Sequence, residues 1–570
     1  MTEFIHSQNS FANGEIAPEF YLTKNISGLS RLENMDVLSG GGLTRRFGLA
    51  DIATLDGTAR VFSFDMSEQE NYVLVFTNRK ITIFLESTQI DTIVSPWTDT
   101  ELPNIQFAGR GNSVIFTHPD VPPYVLTKDS SGFSLHKFSF YDSAGLYSKV
   151  PLIKYDDMRG VSINVSAGPY GVKSATLTAS EDYWTSTNIE TFLYFNNQLW
   201  QIIEYVSPTV VYASSPVEYT LPVITITDWL ESAFDYRHGW PCAITFHQDR
   251  LVFGGTHSVP GGIWMSRVGQ HYNFDVGTGL DDEAIITTLL SKERQQICYL
   301  ISSDKLQILT STGEWAISNQ PLTPSDIDIK QHTSVGSVSS HCLIPQKIES
   351  ETVFISGNSK DIRKLSLDTL GEKYNADDLC AFAKHLINNP IDISYNPSSK
   401  HLFVVNSDGT MAVLTYDIGL GISAWARYTT YGNFVSVTES GGDTFVVIEY
   451  MNTYKLAKFS DTTNYDSGIH EFQCVVAGVP MTFSGHRPNH LRLRKINLRL
   501  WQTKCAYINN MRVELPNEVY SVGSLGFSGD ISMNFLGSQV DPSVAPWVIS
   551  STQPMPITVL SVTVYGQYEI

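Results

Sequence analysis

A strand–turn–strand unit recurs along this chain, and few architectures other than an all-β one accommodate it. It first reads in ENYVLVFTNRKITIFL, Glu70 to Leu85, where two β-rich runs flank Asn78-Arg79. NSVIFTHPDVPPYVLTK, Asn112 to Lys128, repeats the design around a Pro-rich turn. AITFHQDRLVFGG, Ala243 to Gly255, does so around Gln248-Asp249-Arg250. Further copies centre near Leu306, Phe354, Phe403 and Phe445. Apart from one long gap, successive units lie roughly 40–55 residues apart, the range of propeller blades. The expected fold is mainly β: a β-propeller-like body of five to seven blades. The composition agrees. With 27 Tyr, 29 Phe and 12% aromatic residues, the chain favours strands. No long segment repeats apolar residues at helical spacing between clean caps. LCAFAKHLI, Leu379 to Ile387, is the one short helix expected, with Asp377-Asp378 at its N-cap.

Five segments follow. Residues 1–55 read as an extended arm broken by Gly14, Pro18, Gly28 and Gly40-Gly41-Gly42. The glycine run lacks the Gly-Lys-Ser/Thr that a phosphate loop needs, so it reads as a turn. Residues 56–149 and 236–460 carry blades. The gap at 150–235 holds alternating strands with a hairpin turn at Asn196-Asn197-Gln198, and reads as a small inserted β domain. Residues 461–570 form a C-terminal β region, which the family resemblance given below implies combines with the arm into one platform. Within it, SGHRPNHLRLRKINLRLWQTK, Ser484 to Lys504, interleaves Leu and Ile with Arg and Lys. That pattern is one or two strands with a basic face, either ordinarily solvated or a docking face for an acidic partner.

The net charge of −20 argues against binding the outside of DNA, which needs clustered Lys and Arg. It is compatible with a passage whose acidic wall repels phosphates. The six cysteines, Cys242, Cys298, Cys342, Cys380, Cys474 and Cys505, form no CxxC pair and read as reduced, buried thiols. The opening MTEFIHSQNS lacks the basic start and apolar core of a secretory leader, and no apolar run is long enough to span a bilayer.

No constellation of catalytic residues stands out, and neither a cofactor nor a metal is expected. His486 and His490 are four apart, but Pro488 between them rules out a helical metal pair. Asp281, Asp282 and Glu283 could hold a hard cation or supply carboxylates to a glycosidase, with Trp264, Trp315 or Trp425 as its aromatic platform. Tryptophans beside β-turns are more often core residues. GxSxG, HExxH and Walker motifs are absent from the sequence.

The order of several short pieces resembles one family. GGIWMSRVGQHYNF (Gly261 to Phe274), GLDDEAI (Gly279 to Ile285) and TSTGEW (Thr310 to Trp315) follow the Arg250-Leu251 turn exit. NSFANGEIAPEFY (Asn9 to Tyr21) and VLSGGGLTRRFGLADIA (Val37 to Ala53) precede it; NSDGTMAVLTYD (Asn406 to Asp417) and SAWARYTTYGNFVSV (Ser423 to Val437) follow. In this order they resemble the tail nozzle, or tail tubular protein B, family of short-tailed bacteriophages, up to about Phe459. The resemblance implies a non-enzymatic structural protein of the virion tail, assembled in the host bacterial cytoplasm. It implies a homohexameric ring or tube below the portal and its tail adaptor protein, helping to hold tail fibre or spike proteins. DNA would pass through the lumen without specific binding, past six copies of −20 each, about −120 in all. No membrane insertion is implied. Candidate interface residues are Glu15, Arg45, Arg46, Arg487, Arg492 and Arg494. The alternative is a carbohydrate-binding or carbohydrate-cleaving propeller. A WD40-type scaffold is disfavoured, because the Gly-His and Trp-Asp signature is missing from every unit.

Overall fold

The computed structural model describes the chain apart from residues 22–27, 68, 143, 146–147, 156–159, 217–223, 292–293, 340–342, 369, 371, 484–485, 522–523 and 570. Cys342 and the first two residues of the basic stretch, Ser484 and Gly485, therefore lie outside the described residues. Two compact units emerge: Met1–Val94 with Leu343–Ile570, and Ser95–Cys342.

The body is β-propeller-like, and the repeating units of the sequence are its blades. Among the described residues six four-stranded antiparallel sheets occur, and a seventh four-stranded meander is part of a nine-stranded sheet. Four belong to the first unit. One runs from Arg60–Ser67 through Glu70–Thr77 and Lys80–Leu85 to Thr88–Val94. The next begins at Gln346–Ile348 and ends at Tyr374–Asp378, and a third begins at Pro390–Asn396 and ends at Ile422–Tyr428. The fourth takes Asn433–Ser440, Asp443–Tyr450 and Thr453–Ser460 from late in the chain and Gly48–Leu55 from near its start. Three meanders belong to the second unit, starting at Gln106–Arg110, Ala243–His247 and Ile297–Ser302. The hairpin turn at Gln248-Asp249 holds both residues at positive φ, 44° and 58°, which matches the twist of the flanking strands. In TSTGEW the turn is Ser311-Thr312, because Gly313 already pairs with Thr310.

The insertion is an eight-stranded sheet built from strands between Leu152 and Ser232. Its hairpin turn is Asn196-Asn197, both at positive φ, with Gln198 already in the next strand. Its core gathers Trp184, Trp200 and Trp229, with Phe195 stacked on Trp200 at 5.7 Å.

The arm and the C-terminal region interleave into a platform. Thr2–Gln8, Leu43–Arg45 and His490–Thr503 all pair with the strand Thr558–Glu569, and Phe527–Val540 pairs with His490–Thr503. Leu29–Glu33 bridges the meander ending at Tyr428 to Cys474–Gly478. Gly14 is needed for this docking. It sits at φ +59° against the backbone of Trp425, where a Cβ would approach the Trp425 nitrogen to 2.5 Å.

The helix expected over Leu379–Ile387 is not formed. Asp377 and Asp378 end a strand paired with Ile362–Leu367, and only Lys384–Leu386 makes a single 3-10 turn. The reason lies in the carbonyls. That of Leu379 accepts the Trp425 indole N–H (2.9 Å) and that of Phe382 accepts the Ala17 N–H (2.7 Å). These distant donors occupy groups that a helix would use internally.

Candidate functional site

The strand His490–Thr503 carries the site. Its alternation sends Leu491, Leu493, Ile496, Leu498 and Leu500 into the core, all essentially inaccessible. Arg492, Arg494 and Arg499 are exposed on the other face. A register shift between Leu493 and Lys495 lets both Arg494 and Lys495 reach outward. A polar ladder crosses this face. Ser7 Oγ lies 3.0 Å from Thr563 Oγ1, Asn497 donates to Tyr565 Oη (3.3 Å), and Ser532 donates to Asn497 Oδ1 (2.8 Å). Arg499 grips Asp530 through two bonds of 2.8 and 3.0 Å, and Arg494 meets Glu3 at 2.6 Å. These exposed pairs add little stability, since solvent screens them. Ile5 (69% exposed) and Trp501 (48%) lie among the same strands. Arg, Tyr and Trp beside ordered polar groups are the composition of protein-binding surfaces.

Arg487 is exposed as well, whereas the other three candidates are spent inside the chain. Glu15 is buried. Its carboxylate accepts the Leu32 N–H (2.7 Å) and lies 2.8 Å from His385 Nε2. Arg45 donates to the carbonyls of Gln553 (2.9 Å) and Phe472 (2.8 Å). Arg46 uses all five of its donors: Nε to Asn34 Oδ1, Nη1 to Phe47 O and Asp466 Oδ1, Nη2 to Thr429 O and Asp466 Oδ2, all between 2.7 and 3.0 Å. Both guanidinium groups stack on the Phe472 ring, at 4.1 and 3.7 Å. In this structure all three side chains are engaged within the chain: Glu15 joins the arm at Leu32 to His385, and Arg45 and Arg46 join the arm to Gln553, Phe472, Thr429 and Asp466. An arginine pair in a glycine-rich arm carries no sequence signal separating an internal lock from a contact with a second copy.

The acidic turn is likewise structural. Arg250, fully buried, donates to the carbonyls of Ser266, Asp281, Glu283 and Leu322. Glu283 Oε2 accepts three consecutive backbone N–H groups, from Thr278, Gly279 and Leu280, at 2.6–2.8 Å. These bonds hold its carboxyl below the ordinary carboxylate range. Gly277, at φ +53°, leaves room for that carboxylate, since a Cβ there would meet Oε1 at 1.9 Å. The stabilisation is present above the unfolded value of 4.5 and is lost as pH falls through the lower folded value. E283Q is therefore expected to lower the melting temperature at neutral pH, with the difference from wild type closing in acid. A gap that stays constant into acid would contradict this assignment.

Trp264, Trp315 and Trp425 are all buried and offer no sugar platform. Cys242, Cys298, Cys380, Cys474 and Cys505 are free and buried. Burial pushes the thiols of Cys242, Cys380 and Cys474 up to about 12, far from a reactive thiolate. Among the described residues no helix is long and apolar enough to cross a membrane. Sequence reasoning passed over Tyr565 and Asp530, whose strands pair with the basic strand, and Glu3, whose strand pairs with Thr558–Glu569 and so lies one strand further out.

The class defined by this fold is a β-propeller-like body bearing an inserted β domain and a β platform. No protein-family model matches the chain, and no curated protein does. Among solved structures it is similar to the β-propeller domain of Cps50 (Swd1) from Myceliophteria thermophila, at 8% identity and a TM-score of 0.35, covering 72% of this chain and all of that one. It is similar to the RRP9 WD40 repeats at 7% identity and a TM-score of 0.35, covering 73% and 100%. It is also similar to BamB from Moraxella catarrhalis at 8% identity and a TM-score of 0.33, covering 72% and 98%. At such scores the propeller-like architecture rests on the chain's own sheet topology.

Proposed function

We propose that this chain is a structural virion protein, the distal nozzle of a short phage tail. In this reading it forms a closed ring, a hexamer, that extends the DNA channel below the portal and adaptor and helps anchor fibres or spikes. The order of sequence motifs suggests the family. The observation that carries the reading is the outward face of the platform sheet. Arg492, Arg494, Lys495 and Arg499 stand there with Ile5, Trp501 and Tyr565, on a chain whose net charge is −20. A cationic face on an acidic body meets an acidic surface of the next copy in a heterologous ring. Turn-linked sheets supply a stiff wall, and the summed negative charge keeps exiting DNA from adhering.

The test joins particle imaging with oligomer mass. An antibody against this chain should label the far end of a short tail, with sixfold averages that fit its mass. R492E/R494E should abolish or strongly weaken the ring while the subunit stays folded. Label only on side appendages, or none on the particle, would overturn the nozzle.

A second reading has its own observation. In the second unit a cavity of about 270 Å³ is lined by Phe138, Phe140, Phe192, Phe234, Tyr236 and Trp240, with the Lys137–Glu190 ion pair at 2.6 Å beside them. Aromatic faces next to charged groups suit a sugar, which supports the carbohydrate-binding alternative. A surface-glycan screen, with Tyr236→Ala as the control, separates it from the nozzle.

A further inference from the structure

The platform sheet ends in two free edges. On one side Thr2–Gln8 pairs only with Thr558–Glu569; on the other Phe527–Val540 pairs only with His490–Thr503. Every second residue of an edge strand turns its backbone N–H and C=O away from the partner it has, where another strand can take them up. Among the described residues no backbone group from outside the sheet bonds to either strand. Edges are commonly blunted by proline, lysine or a bulge. Phe527–Val540 has neither Pro nor Lys. Leu536 and Gly537, at positive φ of 50° and 77°, interrupt it towards one end, but Gly529–Asn534 runs in unbroken register against Lys495–Leu500. The one charge in that run, Asp530, is held by Arg499.

The two edges fit each other. Thr2–Gln8 is antiparallel to Thr558–Glu569, which is antiparallel to His490–Thr503, which is antiparallel to Phe527–Val540. The edge strands therefore run in opposite directions. A second copy set beside the first in the same orientation brings its Thr2–Gln8 antiparallel to Phe527–Val540. The lengths match, seven residues against the six of Gly529–Asn534. The faces fix the parity of the register. Glu3, Ile5 and Ser7 share the outer face with Asp530, Ser532 and Asn534, and Phe4 shares the core face with Ile531 and Met533. Centring one run on the other sets Ile5 opposite Ser532. Ser7 then offers its hydroxyl to Asp530, Glu3 meets the Asn534 amide, and no like charges oppose each other. On the core face Phe4 falls opposite Met533, a sulfur–aromatic pair whose members are both only partly buried in the single chain.

We propose that copies of this chain join by strand addition. Thr2–Gln8 of one copy pairs antiparallel with Gly529–Phe535 of the next, so that the platform sheet continues from copy to copy. Such a contact is heterologous, repeats along the assembly, and closes a ring when the rotation per copy divides a full turn. The choice of head-to-tail pairing, over two-fold pairing of like edges, rests on the ring proposed above.

The purified full chain carrying I5C and S532C is oxidised and its mass read on a denaturing gel. Within one chain these positions lie three strand spacings, about 14 Å, apart and cannot be bridged. A ladder extending beyond the dimer is expected, and S7C/N534C, four residues out of register, should give none. No ladder from I5C/S532C, or an equal one from S7C/N534C, would overturn the inference. So would dimers from I5C alone or S532C alone as abundant as the products of the pair, the mark of two-fold pairing. A second measurement needs no disulfide. I5K/S532K sets like charges opposite each other in every contact, and I5K/S532E sets opposite ones; sedimentation should show the first associating roughly 3-fold or more weakly than the second. Equal association by the two would also overturn the pairing. Ile5 and Ser532 are exposed, so these variants keep the fold. A ladder from a chain that does not label tails keeps the strand contact and removes the nozzle; a labelled tail without a ladder does the reverse.

Discussion

Replacing Arg46 with Ala should lower the free energy of unfolding by about 3–5 kcal/mol, the range for removing one partner of a buried ion pair. Arg46 and Asp466 are 1% and 0% exposed, and their closest atoms lie 2.7 Å apart. Without the guanidinium, Asp466 keeps its Thr430 hydroxyl bond at 2.8 Å but loses its charge partner. Asn34 Oδ1 and the carbonyls of Phe47 and Thr429 lose donors in the same step. Urea denaturation with two probes would read the loss. The double variant R46M/D466L should recover a large part of it, because an apolar pair carries no uncompensated charge. A loss below about 1 kcal/mol for R46A would mean that neither the ion pair nor the stacking of Arg46 on Phe472 contributes much.

The second large effect concerns Trp264. It is 1% exposed and packs edge-on against Phe234 with ring centroids 4.9 Å apart. It belongs to an aromatic core with Phe138, Phe253 and Phe274. Trp264→Ala should cost about 3–5 kcal/mol, the transfer and cavity terms together. Trp264→Phe should cost clearly less, because the indole N–H has no partner to lose. Both follow from thermal or chemical melts. If W264A instead left stability unchanged and removed glycan binding, the residue would be a sugar platform after all.

The sequence displayed its strands well because their signal is local. Alternation around Asn78-Arg79, Gln248-Asp249 and Asn196-Asn197 needs only neighbours to be read, and the turns fall there within a residue. The basic face of His490–Thr503 was legible for the same reason: each Leu or Ile faces inward and each Arg outward. The candidate site was harder. Arg45 and Arg46 resembled contact residues because a short arm shows no sign of what covers it. Their partners, Phe472 and Asp466, lie more than 400 residues away. Leu379–Ile387 resembled a helix because the donors that capture its carbonyls, Trp425 and Ala17, are invisible in a local window.

The strand Gly48–Leu55 pairs with Thr453–Ser460, and Thr2–Gln8 pairs with Thr558–Glu569. In the living cell this sets a schedule. At about 5–20 residues per second, ribosomal synthesis separates the two members of the second pair by roughly half a minute to two minutes. Residues 95–342 form one continuous stretch and can fold as they emerge. Strands within residues 1–55 must wait for partners made late in the chain, with their edges exposed in the interval, whereas residues 60–94 form a meander by themselves. The platform sheet therefore closes only after the strand Thr558–Glu569 has emerged, and until then Thr2–Gln8 and Leu43–Arg45 lack the partner they hold in the folded chain.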